Sequence, residues 1–432
     1  MAMKLAGWGR FPVIQATARS FETKRQIVSV LESFSDCIVY AQGNSYGDSA
    51  LSSRVVVSSR YNKLLSFDPN QGIVTCESGI TLSELAQVFL PRGWFLGVTP
   101  GTKHVTVGGA IASDVHGKNH HLKGCFSSTV VEFDLMLPDG EIRHCSPCVN
   151  RPLFLATCGG MGLTGVILTA SIQLIPVRSR FIGETTIRCG NLEEVFEQFE
   201  ANRSASYSVA WIDCLAARKN LGRSVLFLGE HSEDDSSPVP ESKNLSIPFD
   251  FPSWWLNRGT VGCFNSLYYT RASNKNFSWK SIDQFFYPLD KILHWNRMYG
   301  TGGFTQYQLV LPKEASLPGL VEILKRISKA NPGAFLGVLK LFGKENDNLL
   351  SFPLEGYTLA VDFKINRDLF PFLDELDQIV LDFGGRLYLS KDVRMNQVTF
   401  RRGYPRWENF ANLRERHSMR KFKSLQSERI GL

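Results

Sequence analysis

The stretch from Gly101 to His121 constrains the fold of this chain more than any other. A turn at Gly101 leads through Thr106 into Val107-Gly108-Gly109-Ala110-Ile111-Ala112, and then into His116-Gly117-Lys118-Asn119-His120-His121. A helix opened by such small residues lets a ligand lie close to the backbone, and its first amides suit a diphosphate. A second glycine loop, Gly43-Asn44-Ser45-Tyr46-Gly47-Asp48, follows the short strand signal Cys37–Ala41. Together the two loops predict a cofactor site with titratable groups, His116 and Lys118, at its mouth.

Around these loops strand and helix signals alternate. Phe21–Leu31 has helical period, and Thr81 with Glu84 forms a capping box for a helix ending before Gly93. Val55–Ser58 and Ile73–Cys76 read as strands. Thr129–Leu137 and Glu141–His144 flank the turn Pro138-Asp139-Gly140, and Leu163–Ile175 reads as a long strand. After Pro176 the character changes. Helices at Leu192–Ala201, Leu317–Lys329 and Leu369–Phe383 alternate with strands at Ser206–Cys214, Thr305–Leu311, Phe335–Phe342 and Thr358–Phe363. That pattern predicts an α+β domain on an antiparallel sheet. His231–Lys280 is rich in Ser, Pro, Asn and acids, and is expected to be a mobile loop region covering the substrate entrance. Its adjacent Trp254 and Trp255 suit a membrane–water boundary. Phe410–Arg429 reads as one basic helix, apolar at Phe410, Leu413, Phe422 and Leu425, docked on the body or lying on a membrane.

Several motifs fail on context. Gly160-Met161-Gly162-Leu163-Thr164-Gly165 matches G-x-G-x-x-G, but a strand-like run follows where a nicotinamide site needs a helix. Gly43-Asn44-Ser45-Tyr46-Gly47 matches a nucleophile elbow, yet too few residues separate it from the next strand for the required helix. A serine hydrolase on Ser45 is therefore a minor alternative. Gly117-Lys118-Asn119 lacks the P-loop's upstream glycine and following hydroxyl. His116, His120 and His121 are interrupted by Gly117, so no metal is expected.

Composition sets the outer bounds. Of 432 residues, 43% are hydrophobic and 21% charged, which excludes fibrous and wholly disordered chains. A net charge of +7 is too weak and too spread to argue for nucleic acid. The longest apolar stretch, Val166–Val177, falls short of the roughly 18 residues of a membrane span. Nine cysteines, an odd number without a signal-peptide pattern, read as reduced thiols in a cytoplasmic protein, with peripheral membrane contact. Cys145 and Cys148 lack the second pair and following helix that a metal or redox role needs.

The run Gly101–His121 resembles the FAD-binding core of the decaprenylphosphoryl-ribose oxidase family, within the vanillyl-alcohol-oxidase-like flavoproteins. The resemblance extends through Ser45–Asp48, Gly159–Gly165, Tyr287–Asp290, Trp295–Arg297, Gln306–Gln308, Lys340–Gly343, Gly384–Tyr388 and Lys391-Asp392. It implies a two-domain, PCMH-type fold of α+β class: an FAD-binding domain over 1–176, an inserted substrate domain over 177–385, and a segment 386–432 returning to the first. FAD would touch Gly43, Asn44, Ser45, Tyr46, Gly47, Asp48, Gly101, Thr106, Val107, Gly108, Gly109, His116, Gly117, Lys118, Asn119, Ile167 and Tyr388. Lys118, Gln308, Lys340 and Lys391 would meet substrate, with Lys391, His116 and Tyr46 as catalytic candidates. The implied reaction is hydride transfer to flavin from the 2-hydroxyl of a polyprenyl-phosphate pentose or another polyol. A separate short-chain reductase would then complete an epimerisation. Oxidation of an aldonolactone or free sugar is the alternative within the superfamily, and a non-catalytic flavin-binding subunit lies outside it. Two positions depart from the family. Ala360 stands where one member has a flavin-facing cysteine, and Asn44 stands where related aldonolactone oxidases carry a flavin-linked histidine. Non-covalent FAD is therefore expected.

Overall fold

A computed structural model describes residues 2–234, 245–252, 254–330 and 333–432. Its first sheet has four strands, in the order Ala2–Leu5, Ile14–Ser20, Arg54–Val57 and Ile38–Tyr40. The last three are parallel, and the helix Lys24–Glu32 makes the crossover between them. Neither N-terminal strand is visible in the sequence pattern, because Ile14–Ser20 buries only Ala16 fully.

The second sheet is antiparallel, in the order Leu64–Asp68, Ile73–Glu77, Val166–Pro176, Val130–Met136 and Ile142–Cys145. Trp94–Leu96 pairs with the far end of Val166–Pro176. The expected hairpin forms around Gly140 at φ +86°. The capping box at Thr81 and Glu84 is present, with both reciprocal bonds, on the helix Leu82–Phe89.

The third sheet has eight antiparallel strands, in the order Asn276–Ser281, Phe181–Cys189, Ser224–His231, Tyr207–Ile212, Ala334–Phe342, Gly356–Lys364, Phe304–Pro312 and Arg386–Leu387. Alternation along its strands sorts two faces. Leu309 and Leu311 lie in the core with Leu320, Ile323 and Leu324 of the helix Lys313–Ala330. Each such aliphatic side chain contributes about 1.5–3 kcal/mol by leaving water. Tyr307, on the same face, donates its hydroxyl at 2.9 Å to Asp377 of the helix Leu369–Asp382. Gln306 and Gln308, at alternate positions, point to the opposite face. The architecture is thus α+β.

One expectation is narrowed and one corrected. Among its described residues the 231–280 segment holds a 14-residue helix, Arg258–Arg271, and an edge strand, Asn276–Ser281. Residues 235–244, most of the acidic stretch Ser232–Ser242, lie outside the described residues. Phe410–Arg429 is not one helix but two, Trp407–Arg416 and Leu425–Ile430, separated by Ser418 at φ +52° and a short turn. The buried Arg414 stabilises the break, donating to the carbonyls of Leu163 and, at 2.8 Å, Phe422. Phe410 and Phe422 are fully buried, so this segment's apolar side faces protein rather than lipid. Residues 421–425 pair with Cys37 and Leu51, which returns the segment to the first sheet.

Candidate functional site

The loop Gly43–Asp48 leaves the Ile38–Tyr40 strand and is clamped by distant backbone. Gly47 N–H donates to Ser390 O at 3.1 Å and Asp48 N–H to Asp392 O at 3.2 Å. A Cβ on Gly47 would stand 2.4 Å from Asp392 O, so only glycine permits this approach. The Asp48 carboxylate accepts from Arg429 Nη2 at 2.8 Å, and the same nitrogen donates to Asp392 at 2.8 Å. Burial pushes the Asp48 carboxyl up, against the pull of Arg429. Ser45 Oγ donates to Ser390 O at 2.6 Å, and the helix that a nucleophile elbow requires does not follow it. Asn44 Nδ2 donates to His104 O at 2.7 Å. The backbone N–H groups of Gly43, Asn44, Ser45 and Tyr46 meet no acceptor among the described residues. Four adjacent unengaged amides make an anion cradle.

The second loop differs from expectation. The helix Val107–Ala112 forms over the expected residues, and Thr106 caps it by accepting from Gly109 N–H at 3.2 Å. Its first amides are already used: Val107 donates to Ile80 O and Gly108 to Ser78 O, both at 2.8 Å. Among the described residues, the amides left without an acceptor therefore lie in the first loop and not at the start of this helix. Gly101 faces open space, with nothing within 4 Å of an added Cβ. The run Gly159–Gly165 closes the other end of this helix. Gly159 N–H and Met161 N–H donate to Ile111 O and Ala112 O. A strand then follows, as the rejection of the nicotinamide motif requires. Ile167 is buried on that strand, opposite Leu135.

Asp114, at φ +40° and fully buried, turns the chain toward His116. Its carboxylate accepts from Ser127 N–H (3.0 Å), Asn346 and Asn348 side-chain amides (2.8 Å each) and Ser351 Oγ (2.6 Å). Asn119 Nδ2 donates to Gly97 O at 2.8 Å, and Gly117 abuts Thr99. His120 Nδ1 accepts from Gly343 N–H at 3.2 Å, and His121 Nε2 donates to Ala205 O at 2.9 Å. Both rings are thus engaged in the fold. Among the described residues no group of three potential ligands could hold a metal.

The reactive end forms where this run meets the third sheet. His116 Nε2 lies 3.0 Å from Gln308 Nε2, and the amide donates because its nitrogen has no acceptor capacity. The ring proton therefore sits on Nδ1, which is buried and has no partner among the described residues. Phe342, Phe352 and Tyr388 surround the ring at 4.8, 5.7 and 5.2 Å. Burial and the nearby Lys340 and Lys391 hold His116 well below its ordinary pKa, so it stays neutral. Tyr388 is structural in part, donating its hydroxyl to Ser113 O at 2.8 Å.

Three half-buried lysines approach the same space. Lys391 Nζ stands 3.6 Å above the Tyr46 ring centroid. Burial lowers it to about 7, against the raising pull of Asp362 and with further lowering by Lys340. Burial alone lowers Lys340 to about 8. Lys118 lies 4.3 Å over the Phe285 ring and donates to Phe285 O; burial lowers it to about 7. None of the three forms an ion pair among the described residues. Burial raises the Tyr46 phenol well above its usual range, with Asp362 and Asp290 adding to the effect.

Sequence reasoning missed Asp362 as a site group. It is fully buried, accepts from Tyr299 Oη at 3.0 Å and Gln306 Nε2 at 2.6 Å, and is pushed up to about 6 by burial. A lone carboxylate inside the otherwise buried Gly356–Lys364 strand was the available signal. Arg429 was missed because nothing local marks it as the partner of Asp48. Ala360 lies directly opposite Gln308, so the departure from the family falls on the site face.

These residues fit FAD: an amide cradle for the diphosphate, an open approach at Gly101, and a lysine-rich, buried end for the ring. Residues 16–146 match a family described as an FAD binding domain. The chain is 36% identical to the decaprenylphosphoryl-β-D-ribose oxidase of Mycolicibacterium smegmatis, over 95% of this chain and 93% of that one. It is 30% identical to an uncharacterised protein of Streptomyces coelicolor, over 78% of this chain and 95% of that one. With the L-gulonolactone oxidase of Mus musculus it shares 25% identity, over 88% and 85% of the two chains. With the site and these relatives in agreement, the chain belongs to the decaprenylphosphoryl-β-D-ribose oxidase family and is an FAD-dependent oxidase.

Proposed function

We propose that this enzyme oxidises the 2-hydroxyl of a polyprenyl-phosphate-linked pentose to the 2-keto sugar. The observation that carries the reading is the cluster of half-buried Lys118, Lys340 and Lys391, none of them in an ion pair among the described residues. A buried cation is costly unless an anion joins it. A phosphate beside the reacting carbon supplies that anion to Lys118 and Lys340 and leaves Lys391 neutral for the proton.

Bound FAD supplies the hydride acceptor. The protein's part is proton handling and orientation. A base works best with a pKa near the working pH, which fits both Lys118 and Lys391 at about 7; Lys391, over the Tyr46 ring of the first glycine loop, is assigned the task. Neutral Lys391 accepts the hydroxyl proton as the hydride departs. His116, held well below its ordinary pKa, is too weak a base; its Nδ1–H donates to the ligand and fixes its pose. Tyr46 carries Lys391 on its ring face and is too weak an acid to share the task. Lys340 and Lys118 hold the phosphate. Gln308 locks the His116 tautomer. The 2-keto product then needs stereospecific reduction at the same carbon, the work of a separate short-chain reductase. The division into an FAD domain over 1–176, a substrate domain over 177–385 and a returning tail is part of this reading, as is a lipid surface as the source of substrate.

Anaerobic mixing with a polyprenyl-phosphate ribose, free ribose and an aldonolactone tests it. The lipid phosphate sugar should bleach the yellow flavin band. Bleaching by the lactone alone would replace this reading with the lactone oxidase, and bleaching by none would leave a flavin-binding subunit.

A further inference from the structure

The helix Arg258–Arg271 buries only Val261 and Asn265 fully, so core packing does not account for its place. It is pinned by polar bonds instead. Asn265 Nδ2 donates to Asp213 at 2.7 Å and Arg223 to Ser266 at 3.1 Å. Phe264, Leu267 and Tyr268 remain 44%, 53% and 38% exposed. With Arg271 they occupy positions i, i+3, i+4 and i+7, a single helix face. Arg258 and Arg271 stand near its two ends, and the helix has no acidic side chain. Just before it, Trp254 and Trp255 are 68% and 43% exposed, although Asn257 Nδ2 and Thr260 Oγ1 hold their carbonyls. Exposed apolar side chains gathered on one helix face mark an interaction site.

The register of the third sheet connects this face to the lysine cluster. Gln308 pairs with Ala360, Ala360 with Val338, and Val338 with Trp211. Cross-strand partners point to the same side, so these four form one row on the site face. The Trp211 ring lies 4.7 Å from the Tyr268 ring. Three inter-strand steps carry the row about 14 Å, from Gln308, beside His116, to Trp211, against Tyr268 of the helix.

We propose that Trp254, Trp255 and the 258–271 helix form the lipid-engaging face of the enzyme. The isoprenoid chain of a lipid-linked sugar follows the Ala360–Val338–Trp211 row and leaves the protein past Tyr268, Phe264 and Leu267. There the basic, acid-free helix rests on an anionic bilayer. The inference rests on the lipid-linked substrate of the proposed function, and the geometry narrows it to one exit.

The test compares the unaltered holoenzyme with a Phe264→Asp, Leu267→Asp variant, using decaprenyl- and geranyl-phosphate ribose and phosphatidylglycerol vesicles. FAD content and melting temperature confirm folding. For the decaprenyl substrate the variant's kcat/KM should fall about tenfold or more, the scale of losing one buried apolar contact. Turnover of the geranyl substrate should hold, and vesicle co-sedimentation should be lost. Equal loss with both substrates, or no loss with either, overturns the proposal. A change in oligomeric state with intact chain-length preference also overturns it and makes the face a contact between copies. If neither lipid sugar bleaches the unaltered enzyme, the proposed function has failed. The vesicle arm then decides this face by itself: sedimentation lost only in the variant upholds it, and unchanged sedimentation rejects it. A Trp254→Ala variant, which keeps the helix intact, repeats the comparison if the double variant does not fold.

Discussion

Lys391 carries the sharpest test at the scale of single residues. Lys391→Ala should keep FAD and slow anaerobic flavin bleaching about a hundredfold or more, the scale of losing a positioned proton acceptor. An unchanged rate would remove Lys391 from the chemistry. The pH dependence has a definite sign. Neutral Lys391 is required, so bleaching should rise as pH passes about 7. Charged Lys118 and Lys340 are required to hold phosphate, so affinity should weaken as pH rises through about 7 to 8. Stability runs in the same direction as the first limb. These folded-state lysine pKa values lie below the unfolded value of 10.5, so between about 7 and that value the unfolded chain binds more protons. Their contribution to unfolding free energy therefore increases with pH across that window, and differential scanning calorimetry of the ligand-free protein should show it. Ser45→Ala should leave turnover intact and cost about 1 kcal/mol, the worth of one hydrogen bond.

Among the elements, the clasps on the two loops are the vulnerable points. Asp114→Ala strands two asparagine amides and a serine hydroxyl in the interior, and should cost about 3 kcal/mol or more. Denaturant unfolding would show the loss, with FAD released earlier than in the unaltered protein. Arg429→Ala leaves Asp48 and Asp392 buried without their cation and should cost about 3–5 kcal/mol. Its early reporter is the fluorescence of freed flavin. Elements with strong local rules were readable from sequence. The capping box at Thr81, the small-residue helix from Val107 and the hairpin at Gly140 each follow from residues within a few positions. The 258–271 helix was not readable, because its period marks an exposed apolar face instead of a buried one. The break at Ser418 escaped for another reason: it is imposed by Arg414 reaching carbonyls that the local pattern does not reveal.

Over the whole molecule, the site was legible where it is contiguous. His116–Asn119 and Gly43–Asp48 are runs, and a run announces itself. Asp362, Tyr299 and Arg429 enter from segments far apart, and only the folded chain brings Asp362 and Tyr299 to Gln306 and Arg429 to Asp48. The four free amides also show why the cofactor should come away intact. Asn44 offers no ring nitrogen for a flavin bond, so acid precipitation should leave the yellow colour in the supernatant. Colour retained in the pellet would reveal a covalent link elsewhere.

The bond between Arg429 and Asp48 spans 381 positions of sequence. Loop closure over such a span is entropically late, and contacts of this separation slow folding. During synthesis the cradle for the diphosphate is made early and stands open while both later sheets are assembled. Flavin can be gripped firmly only after Arg429 has emerged and folded back. The enzyme therefore gains its colour last: pulse-labelled chains should be compact and protease-resistant across the third sheet before they hold FAD.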